Sequence, residues 1–433
     1  MEKKRYCLVG VSSRGQSMFA KSLLNEYSDV ADLVGFCDIN RTRMETACRW
    51  LKRDIPCYTD FDKMIAEQNP DVIIVTTKDS VHHQYIIRAL EYDKDVITEK
   101  PMTIDEVKCK AILETEKKSK GKLVVTFNYR YAPYITKVKE LLKEGIVGDI
   151  YSVEFNWYLD TVHGASYYHR WNAQMANSGG LLVHKATHHF DMVNWWLDQE
   201  PEEVFAFGSR KFYGDNRYTP SERCLVCSKA SECEFYLDIK GQTGTKEYYL
   251  DAEFEDGYIR DRCVFSPTID IYDTMTVAVK YEKGVQMAYT LSSYVPFEGW
   301  QVAINGSKGR LEAGQLDSFL PEENRNFAER TELRRKSIDR FKAAKGDITP
   351  ITSDDISFYP LFGGVQTYTI ERASGGHGGG DVRLKDMLFR ENIPDPLGHS
   401  AGSRAGAMSI LTGVAANKSI VTKKMVNVKD LLK

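Results

Sequence analysis

The sequence predicts an α/β protein of two domains, the first built on a parallel sheet and the second rich in strands. Its 433 residues are too many for one average hydrophobic core. As far as about residue 126, short apolar runs alternate with amphipathic helical stretches, which is typical of a parallel sheet with right-handed crossovers. Beyond residue 149 this alternation fades and strand-like runs follow one another.

The first domain is predicted to consist of strands separated by helices. The run DVIIVTT at 71–77 is almost continuously apolar and β-branched, as expected for a strand that is covered on both faces. The other predicted strands are RYCLVGV, ADLVGFCD, DVITEKP and KLVVTFNYR. The predicted helices span 16–27, 41–51 and 81–92, and one more follows DVITEKP.

The turn after the first strand, GVSSRG, fits the dinucleotide-binding pattern G-x-G-x-x-G except at Ser12. Gly10 permits the tight turn, and Gly15 lets the following helix approach the strand closely. The amides at the start of that helix, near Ser13 and Arg14, can hold a pyrophosphate. The alternative is a glycine turn that binds nothing.

An acidic residue at the end of the second strand supports the nucleotide interpretation. Asp38 follows the glycines at close to the interval of ~20 residues that dinucleotide-binding domains show. A carboxylate there accepts hydrogen bonds from the ribose hydroxyls and repels a 2′-phosphate, so we expect NAD rather than NADP. Arg41 and Arg43 are near enough in sequence to keep NADP as the less favoured alternative.

The segment from 71 to 101 resembles the Gfo/Idh/MocA family of sugar and cyclitol oxidoreductases. Thr77, His82, the Ala-Leu pair at 89–90 and the Glu-Lys-Pro triplet at 99–101 match that family in order and spacing. Lys78 stands where the family usually has proline. The resemblance continues through FNYR and returns at GGHGGGD, so it extends over most of the chain.

The resemblance implies a Rossmann NAD-binding domain at 1–126 and a substrate-binding and oligomerisation α/β domain at 127–433. The second domain would contain a large, mostly antiparallel open sheet. Its predicted strands are YSVEFNWYL, EEVFAFGSRKFY, a hairpin over MTVAVKYEKGVQMAYTLSSYV, and WQVAINGSKGRLEA. We expect a polar excursion near 321–347 and a final, closely packed helix at 402–417.

The stretch SGGLLVHKATHHFD at 178–191 is the candidate catalytic segment. His184 stands where the resembled family has an aspartate, His188 where it has its catalytic histidine, and Asp191 where it has a second aspartate. Residues four apart on a helix share a face, so both histidines can reach one hydroxyl. Lys185 should face away from them, and the neighbouring His189 is expected to be a packed or surface residue.

Oxidation of an alcohol needs a base near the hydroxyl and a cation that stabilises the developing alkoxide. We assign Lys100 to polarise the oxygen and His188 to carry the proton, while His184 orients the substrate or relays the proton. The alternative is a metal site, since the spacing of His184, His188 and Asp191 could also hold zinc.

The remaining candidate site residues form two sets. The cofactor-binding set is Gly10, Ser12, Ser13, Arg14, Gly15, Asp38, Thr77, His82, Glu99 and Lys100. The substrate set is Tyr129, Arg130, His163, Tyr168, Arg170, Trp171 and His377. Aromatic faces with amide or guanidinium donors suit a carbohydrate, although the aromatic residues could equally cover a sheet.

Four cysteines form a cysteine-rich segment at 224–263. Cys224, Cys227 and Cys233 fall within ten residues, and Cys263 follows. A C-x2-C pair with two further cysteines is the ligand set of a structural zinc site. The alternatives are a buried thiol cluster and a redox-labile disulfide.

Composition excludes several classes of partner. The net charge is −3, from 58 basic and 61 acidic residues, so nothing indicates binding to nucleic acid or to an anionic membrane. No apolar run approaches the ~20 residues of a membrane span, and the first apolar run is interrupted too early for a signal peptide. We expect a cytoplasmic protein that forms a homodimer or homotetramer through the C-terminal sheet.

The leading functional hypothesis is an NAD-dependent oxidoreductase that acts on a secondary hydroxyl of a sugar, sugar derivative or cyclitol. One alternative is an NAD-recycling lyase or glycosidase that acts through a transient keto-sugar. Another is an NAD-binding regulator without catalytic activity.

Overall fold

The computed structural model describes residues 3–216, 221–317 and 336–433. The polar excursion expected near 321–347 lies outside the described residues as far as 335, and from 340 it contains a short helix, Arg340–Ala343. Within the described residues, no helix has the length and apolar character needed to cross a bilayer.

The first domain contains a six-stranded parallel sheet in the order β3-β2-β1-β4-β5-β6. Its strands are β1 Lys4–Val9, β2 Ala31–Cys37, β3 Cys57–Tyr58, β4 Val72–Val75, β5 Asp95–Thr98 and β6 Leu123–Val125. Its helices are α1 Lys21–Leu24, which continues a π-helical turn at Gly15–Ala20, α2 Arg41–Leu51, α3 Phe61–Gln68, α4 His82–Glu91 and α5 Glu106–Glu116. This strand order is that of doubly wound dinucleotide-binding folds, so the predicted Rossmann domain is confirmed.

The two central strands of this sheet determine where a ligand can bind. β1 and β4 are adjacent and buried, and the strand order reverses between them. In open α/β sheets the crevice beyond the carboxyl ends of the strands at such a reversal takes the ligand. The chain continues from these ends, at Val9 and Val75, into the glycine turn and into the loop before α4.

The second domain contains a nine-stranded sheet in the order β14-β13-β12-β11-β7-β10-β9-β8-β15. All neighbours are antiparallel except the pair β7 and β10. Its strands are β7 Ile150–Asp160, β8 Pro201–Ser209, β9 Thr274–Tyr281, β10 Gln286–Val295, β11 Glu298–Gly306, β12 Gly309–Asp317, β13 Ser353–Pro360, β14 Gln366–Glu371 and β15 Val426–Asn427. The large, mostly antiparallel sheet that the resemblance implies is therefore confirmed.

The second domain also contains helices. They are α6 Pro133–Lys143, α7 His163–His169, α8 Met175–Ser178, α9 Leu181–His184, α10 Ala186–Leu197, α11 Thr243–Thr245, α12 Glu253–Asp256, α13 Arg340–Ala343, α14 Gly380–Phe389 and α15 Ser403–Thr422. Among them, α6, α7 and α15 contact strands of this sheet. The long α15 packs closely because its small residues allow it: a Cβ at Gly413 would collide with the carbonyl oxygen of Leu182. Toward the sheet, the hydroxyl of Ser419 in α15 accepts a hydrogen bond from the backbone amide of Ala206 in β8.

One helix from late in the chain packs on the first domain. Phe389 at the end of α14 contacts the rings of Tyr6 and Tyr27, with centroids 5.5 and 5.1 Å apart. Lys385 in the same helix forms an ion pair with Glu26 at 2.6 Å. A segment within the range assigned to the second domain, 127–433, thus completes the packed layer of the first.

A buried ion pair joins two parts of the second domain. Arg130, just before α6, donates to both carboxylate oxygens of Asp191 in α10, at 2.7 and 2.6 Å. The two side chains are only 6% and 1% exposed, so neither charge has water as a substitute partner. Removing one member of such a pair leaves an uncompensated buried charge.

We therefore expect Asp191→Ala to lower the free energy of unfolding by about 3–5 kcal/mol. The matched control is Glu45→Ala, which breaks the exposed pair of Glu45 with Arg41 and should cost about 0.5 kcal/mol or less. Urea unfolding of the two variants measures the difference. A stability of Asp191→Ala equal to that of the control would contradict a structural role for this pair.

Candidate functional site

A cavity of about 1710 Å³ lies between the carboxyl ends of the first sheet and the second domain. Its walls come from the glycine turn, the loops after β4 and β5, the helices α7 and α10, the residues around 249 and 260, and the loop before α14. The first domain provides the walls of one half, which we call the nucleotide half. The second domain provides most of the other, which we call the substrate half.

The glycines of the turn after β1 allow the neighbouring backbone and side chains to approach the turn closely. Gly10 has a φ of +83°, and a Cβ there would lie 2.6 Å from the backbone nitrogen of Thr77. A Cβ at Gly15 would collide with the side chain of Thr76, so Gly15 is buried beneath the turn. Ser12, which replaces the middle glycine, accepts a hydrogen bond from the amide of Gly15 at 3.1 Å and braces the turn.

Asp38 is fixed at the end of β2, facing the nucleotide half. Its carboxylate accepts hydrogen bonds from the amides of Val11 and Asn40, at 2.7 and 2.9 Å. The guanidinium of Arg43 lies 3.9 Å from Asp38 and 2.8 Å from Asp256. The positive charge of Arg43 is therefore already balanced by two carboxylates.

A segment of the second domain lies across the nucleotide half. We call residues 243–260 the cover segment. Tyr249 donates a hydrogen bond to the side chain of Ser13 at 2.8 Å. Glu255 accepts from the first amides of α2, at Arg41 and Thr42, with distances of 2.5 and 3.0 Å. No sequence motif marks this segment, and its contacts with the glycine turn join residues far apart in the chain.

Lys100 and His184 meet in the substrate half of the cavity. The ammonium of Lys100, just after β5, donates to the carbonyl oxygen of His184 at 3.1 Å. Nδ1 of His184 lies 2.5 Å from a carboxylate oxygen of Asp79, which comes from the loop after β4. The sequence reasoning missed Asp79, although an acid in the loop that follows a buried central strand is a usable signal.

Burial moves these groups toward their neutral forms. Burial raises the pKa of Asp79 well above its usual range and lowers the pKa of His184 well below its own. The positive charge of Lys100 opposes the rise in the pKa of Asp79. Burial also lowers the pKa of Lys100, while the neighbouring Asp79 and Glu99 raise it.

His188 presents a different environment. It is 2% exposed, and burial lowers its pKa well below the usual range for histidine. Its ring packs edge-on against Tyr129, with centroids 4.8 Å apart. Its Nδ1 atom is buried and has no hydrogen-bond partner within the described part of the chain. His188 is thus a neutral imidazole, whereas the corresponding nitrogen of His184 is occupied by Asp79.

The predicted helix through both histidines is interrupted. α9 ends at His184 and α10 begins at Ala186, so the two histidines do not share one continuous helical face, although both line the cavity. The expectation that Lys185 faces away is wrong. Lys185 is 3% exposed, lines the cavity, and lies 4.9 Å from the ring centre of Trp157.

The loop GGHGGGD joins the two halves of the cavity. His377 has a φ of +53°, and its Nδ1 lies 3.1 Å from a carboxylate oxygen of Asp381. Asp381 in turn forms an ion pair with Arg14 at 3.3 Å, and Arg14 pairs with Glu99 at 2.7 Å. Although burial alone would raise it, the pKa of Asp381 is lowered by its contacts with His377 and Arg14.

The other predicted cofactor residues lie in or next to the loops that follow β4 and β5. Thr77, His82 and Glu99 line the cavity. The ring nitrogens of His82 lie 2.9 Å from the carbonyl oxygens of Thr77 and Pro101, so His82 fixes the loops after β4 and β5.

The predicted substrate residues divide into two groups. Those that line the cavity are Tyr129, His163, Arg170, Trp171 and His377. Arg130 does not, because its guanidinium is held in the buried pair with Asp191. Tyr168 does not either, because it stacks on Tyr213 at 3.9 Å and bonds to Ser293 at 2.8 Å. The neighbouring His189 is packed on Trp157, with ring centroids 3.8 Å apart.

The zinc prediction for the cysteines is not supported. Cys224, Cys227, Cys233 and Cys263 line one small cavity, and all four are free thiols. Yet among the described residues no group of three or more His, Cys, Asp or Glu side chains is arranged to hold a metal ion, which also leaves the alternative zinc site at His184 unsupported.

Two family profiles match the chain. The one described as "Oxidoreductase family, NAD-binding Rossmann fold" matches residues 4–127. The one described as "Oxidoreductase family, C-terminal alpha/beta domain" matches residues 139–428. Together they extend over most of both sheets and the cavity between them.

Individual relatives agree with the profiles. YteT of Bacillus subtilis (strain 168), named as an oxidoreductase, is 37% identical over 450 residues, which cover 99% of this chain and 98% of YteT. The myo-inositol 2-dehydrogenase of Thermotoga maritima is 26% identical over 181 residues, 42% of this chain and 52% of that protein. The structure of levoglucosan dehydrogenase with NADH and levoglucosan has a TM-score of 0.66 and 16% identity, and covers 99% of this chain and 100% of its own. The chain therefore belongs to the Gfo/Idh/MocA family of oxidoreductases, with an NAD-binding Rossmann domain at its N-terminal end.

Proposed function

We propose that the protein is an NAD-dependent oxidoreductase that acts on a secondary hydroxyl of a sugar, sugar derivative or cyclitol. The observation that carries this proposal is the meeting of Lys100, the Asp79–His184 pair and His188 in one cavity, next to the glycine turn. The relatives named as inositol and levoglucosan dehydrogenases support the class of substrate.

The nucleotide half fits the cofactor of the family. The crowded turn at Gly10 and Gly15 leaves the backbone open to a diphosphate, and Asp38 lies where the adenosine ribose would bind. When bound, NAD supplies the acceptor for the hydride of the substrate C–H bond. The residues of the chain must then bind the substrate, orient it and remove its hydroxyl proton.

Lys100 and His188 divide the work at the hydroxyl. The ammonium of Lys100 stabilises negative charge that develops on the substrate oxygen. We assign the proton to His188, because it lines the cavity and burial keeps it a neutral imidazole. The Asp79–His184 pair holds Lys100 in place through the carbonyl oxygen of His184 and keeps a carboxylate beside the ammonium.

A second candidate, an NAD-recycling lyase or glycosidase, is favoured by the cover segment. The bonds from Tyr249 and Glu255 to the first domain lie across the nucleotide half, which suits a cofactor that stays bound between turnovers. The two candidates differ in whether NADH accumulates in solution during turnover. A regulator without catalytic activity would instead bind NAD and turn over no sugar.

The predicted homodimer or homotetramer stays a prediction. Two apolar side chains at the turn between β13 and β14 support an interface there: Leu361 is 63% exposed and Phe362 is 92% exposed. Both lie at the edge of the second sheet, where a partner could cover them.

The direct test of the proposed function removes the groups at the hydroxyl. Lys100→Met and His188→Ala should each lower turnover about 10²–10⁴-fold, the usual loss for an acid–base group. NAD affinity should change little, because neither residue is assigned to the nucleotide. The matched control is Lys94→Met, which removes a lysine just before the other end of β5. Turnover is measured as NADH absorbance over a panel of sugars and cyclitols, and full activity in both variants would refute the assignment.

The role of Asp79 can be tested through the pH profile. Asp79 raises the pKa of Lys100, so Asp79→Asn should lower that pKa further. If the ammonium form is required, activity is lost as pH rises through the pKa of Lys100. The basic limb of kcat/KM should therefore move to lower pH, by about one unit or more. His184→Asp, which places a carboxylate near the ammonium, should move the same limb to higher pH. Identical profiles in wild type and both variants would contradict this role.

Cofactor choice follows from the charges around Asp38. A 2′-phosphate would meet this carboxylate, while Arg43 is already neutralised by Asp38 and Asp256. NAD should therefore bind at least about tenfold more tightly than NADP, and Asp38→Ala should reduce the ratio. Calorimetric titration with both cofactors measures it. Asp32→Ala, an exposed acid on the same strand, serves as the control. Equal affinities of the wild-type protein for NAD and NADP would refute the assignment.

A further inference from the structure

The arginines that line the cavity belong to two classes. One class is neutralised by carboxylates: Arg14 pairs with Glu99 and Asp381, Arg43 with Asp38 and Asp256, and Arg372 with Asp317 and Asp354. The other class is Arg170, Arg260 and Arg262, which form no ion pair with any carboxylate of the described residues. A cavity that keeps three unneutralised guanidinium groups is suited to an anionic ligand.

Arg170 stands closest to the reacting groups. Its Nε donates to the carbonyl oxygen of Ser166 at 2.8 Å, and its guanidinium lies 5.3 Å from the ring centre of Tyr167. These contacts fix the side chain and leave its terminal nitrogens available. The charge of Arg170 also contributes to lowering the pKa values of Lys100 and His184, so the guanidinium lies within electrostatic range of the proposed reaction centre.

Arg260 and Arg262 flank a rigid anchor. Between them, Asp261 is completely buried and is held by Arg223 at 2.5 Å. The backbone amide of Arg262 also donates to the carbonyl oxygen of His169 at 3.1 Å, next to Arg170 in the chain. Nη1 of Arg260 is buried and has no hydrogen-bond partner within the described residues. An unpaired buried donor is costly unless a ligand satisfies it.

We propose that Arg170, Arg260 and Arg262 bind the carboxylate of the substrate, so that the protein acts on a sugar acid of the uronate class rather than on a neutral sugar. A planar guanidinium matches a carboxylate with two parallel hydrogen bonds, and a desolvated pair of this kind discriminates strongly against a neutral group. The proposal rests on the proposed function, because the substrate hydroxyl must still reach Lys100.

A second source of the anion is the diphosphate of the cofactor. Its natural partners are the backbone amides of the glycine turn. Tyr249 lies between that turn and Arg260: its hydroxyl bonds to Ser13, and the guanidinium of Arg260 is 5.9 Å from its ring centre. This arrangement separates Arg260 from the turn and favours the substrate as the source. The test must nevertheless measure both ligands.

The test compares D-glucuronate and D-galacturonate with D-glucose and D-galactose. Wild-type kcat/KM should be at least about 100-fold higher for an acid than for its neutral partner. Arg170→Gln and Arg262→Gln should lower kcat/KM for the acid about 10–100-fold, mainly through KM, since each removes a charge-assisted hydrogen bond. Because the charge of Arg170 also reaches Lys100, the deciding quantity is the ratio of kcat/KM for the acid to that for its neutral partner, which should fall about 10-fold or more in both variants. Arg53→Gln, which changes an exposed arginine that does not line the cavity, is the matched control.

Calorimetric titration gives a readout that does not depend on turnover. The acid should bind the protein with NADH present, and Arg170→Gln should weaken that binding about 10–100-fold while NAD affinity stays unchanged, which also shows that the variant is folded. If the arginine variants weaken NAD binding instead, the anion is the cofactor diphosphate and the proposal is wrong. Preference for neutral sugars, or no binding of either acid, also overturns it. If the acid binds through the arginines but no NADH forms with any sugar, the anion site stands and the proposed oxidoreductase function falls.

Discussion

The site is organised around a lysine ammonium that is largely withdrawn from water between two domains. Lys100 follows the end of β5, and burial lowers the pKa of its ammonium. Two carboxylates oppose that tendency, Glu99 beside it in sequence and Asp79 from the neighbouring loop. The ammonium of Lys100 also donates a hydrogen bond to the carbonyl oxygen of His184. The ammonium thus requires both domains in their observed positions, since His184 belongs to the second and Asp79 to the first.

Local patterns predicted the parts of the structure that depend on local physics. The buried strands, the α2 helix and the crowded turn at Gly10 follow from apolar runs, helical spacing and backbone freedom, all of which act over a few residues. The helix break at Lys185 was not predictable, because lysine is a good helix former; in the structure its ammonium lies over the ring of Trp157. Tertiary contacts override propensity at that point.

The errors in the predicted site residues have two causes. Arg130 and Tyr168 lie beside true cavity residues in sequence, but neighbours along a chain point in different directions, and both side chains are turned into the packed interior. Asp79 and the cover segment were missed for the opposite reason. Their partners, His184 and the glycine turn, are more than a hundred residues away, and no spacing rule reaches that far. The four cysteines do share one cavity, but spacing alone does not fix how side chains are arranged, and among the described residues no group of three or more is arranged to hold a metal ion.

The cover segment and its continuation connect the two halves of the cavity. At one end Tyr249 bonds to the glycine turn, and a short distance along the chain Arg260 and Arg262 face the substrate half. Between these points the backbone is tied down by Asp261, whose carboxylate is buried against Arg223. Tyr249, which contacts the glycine turn, and the two arginines therefore belong to one stretch of chain. Charge divides the arginines of the cavity differently: Arg14, Arg43 and Arg372 are neutralised by carboxylates of the protein, whereas Arg170, Arg260 and Arg262 have no carboxylate partner among the described residues.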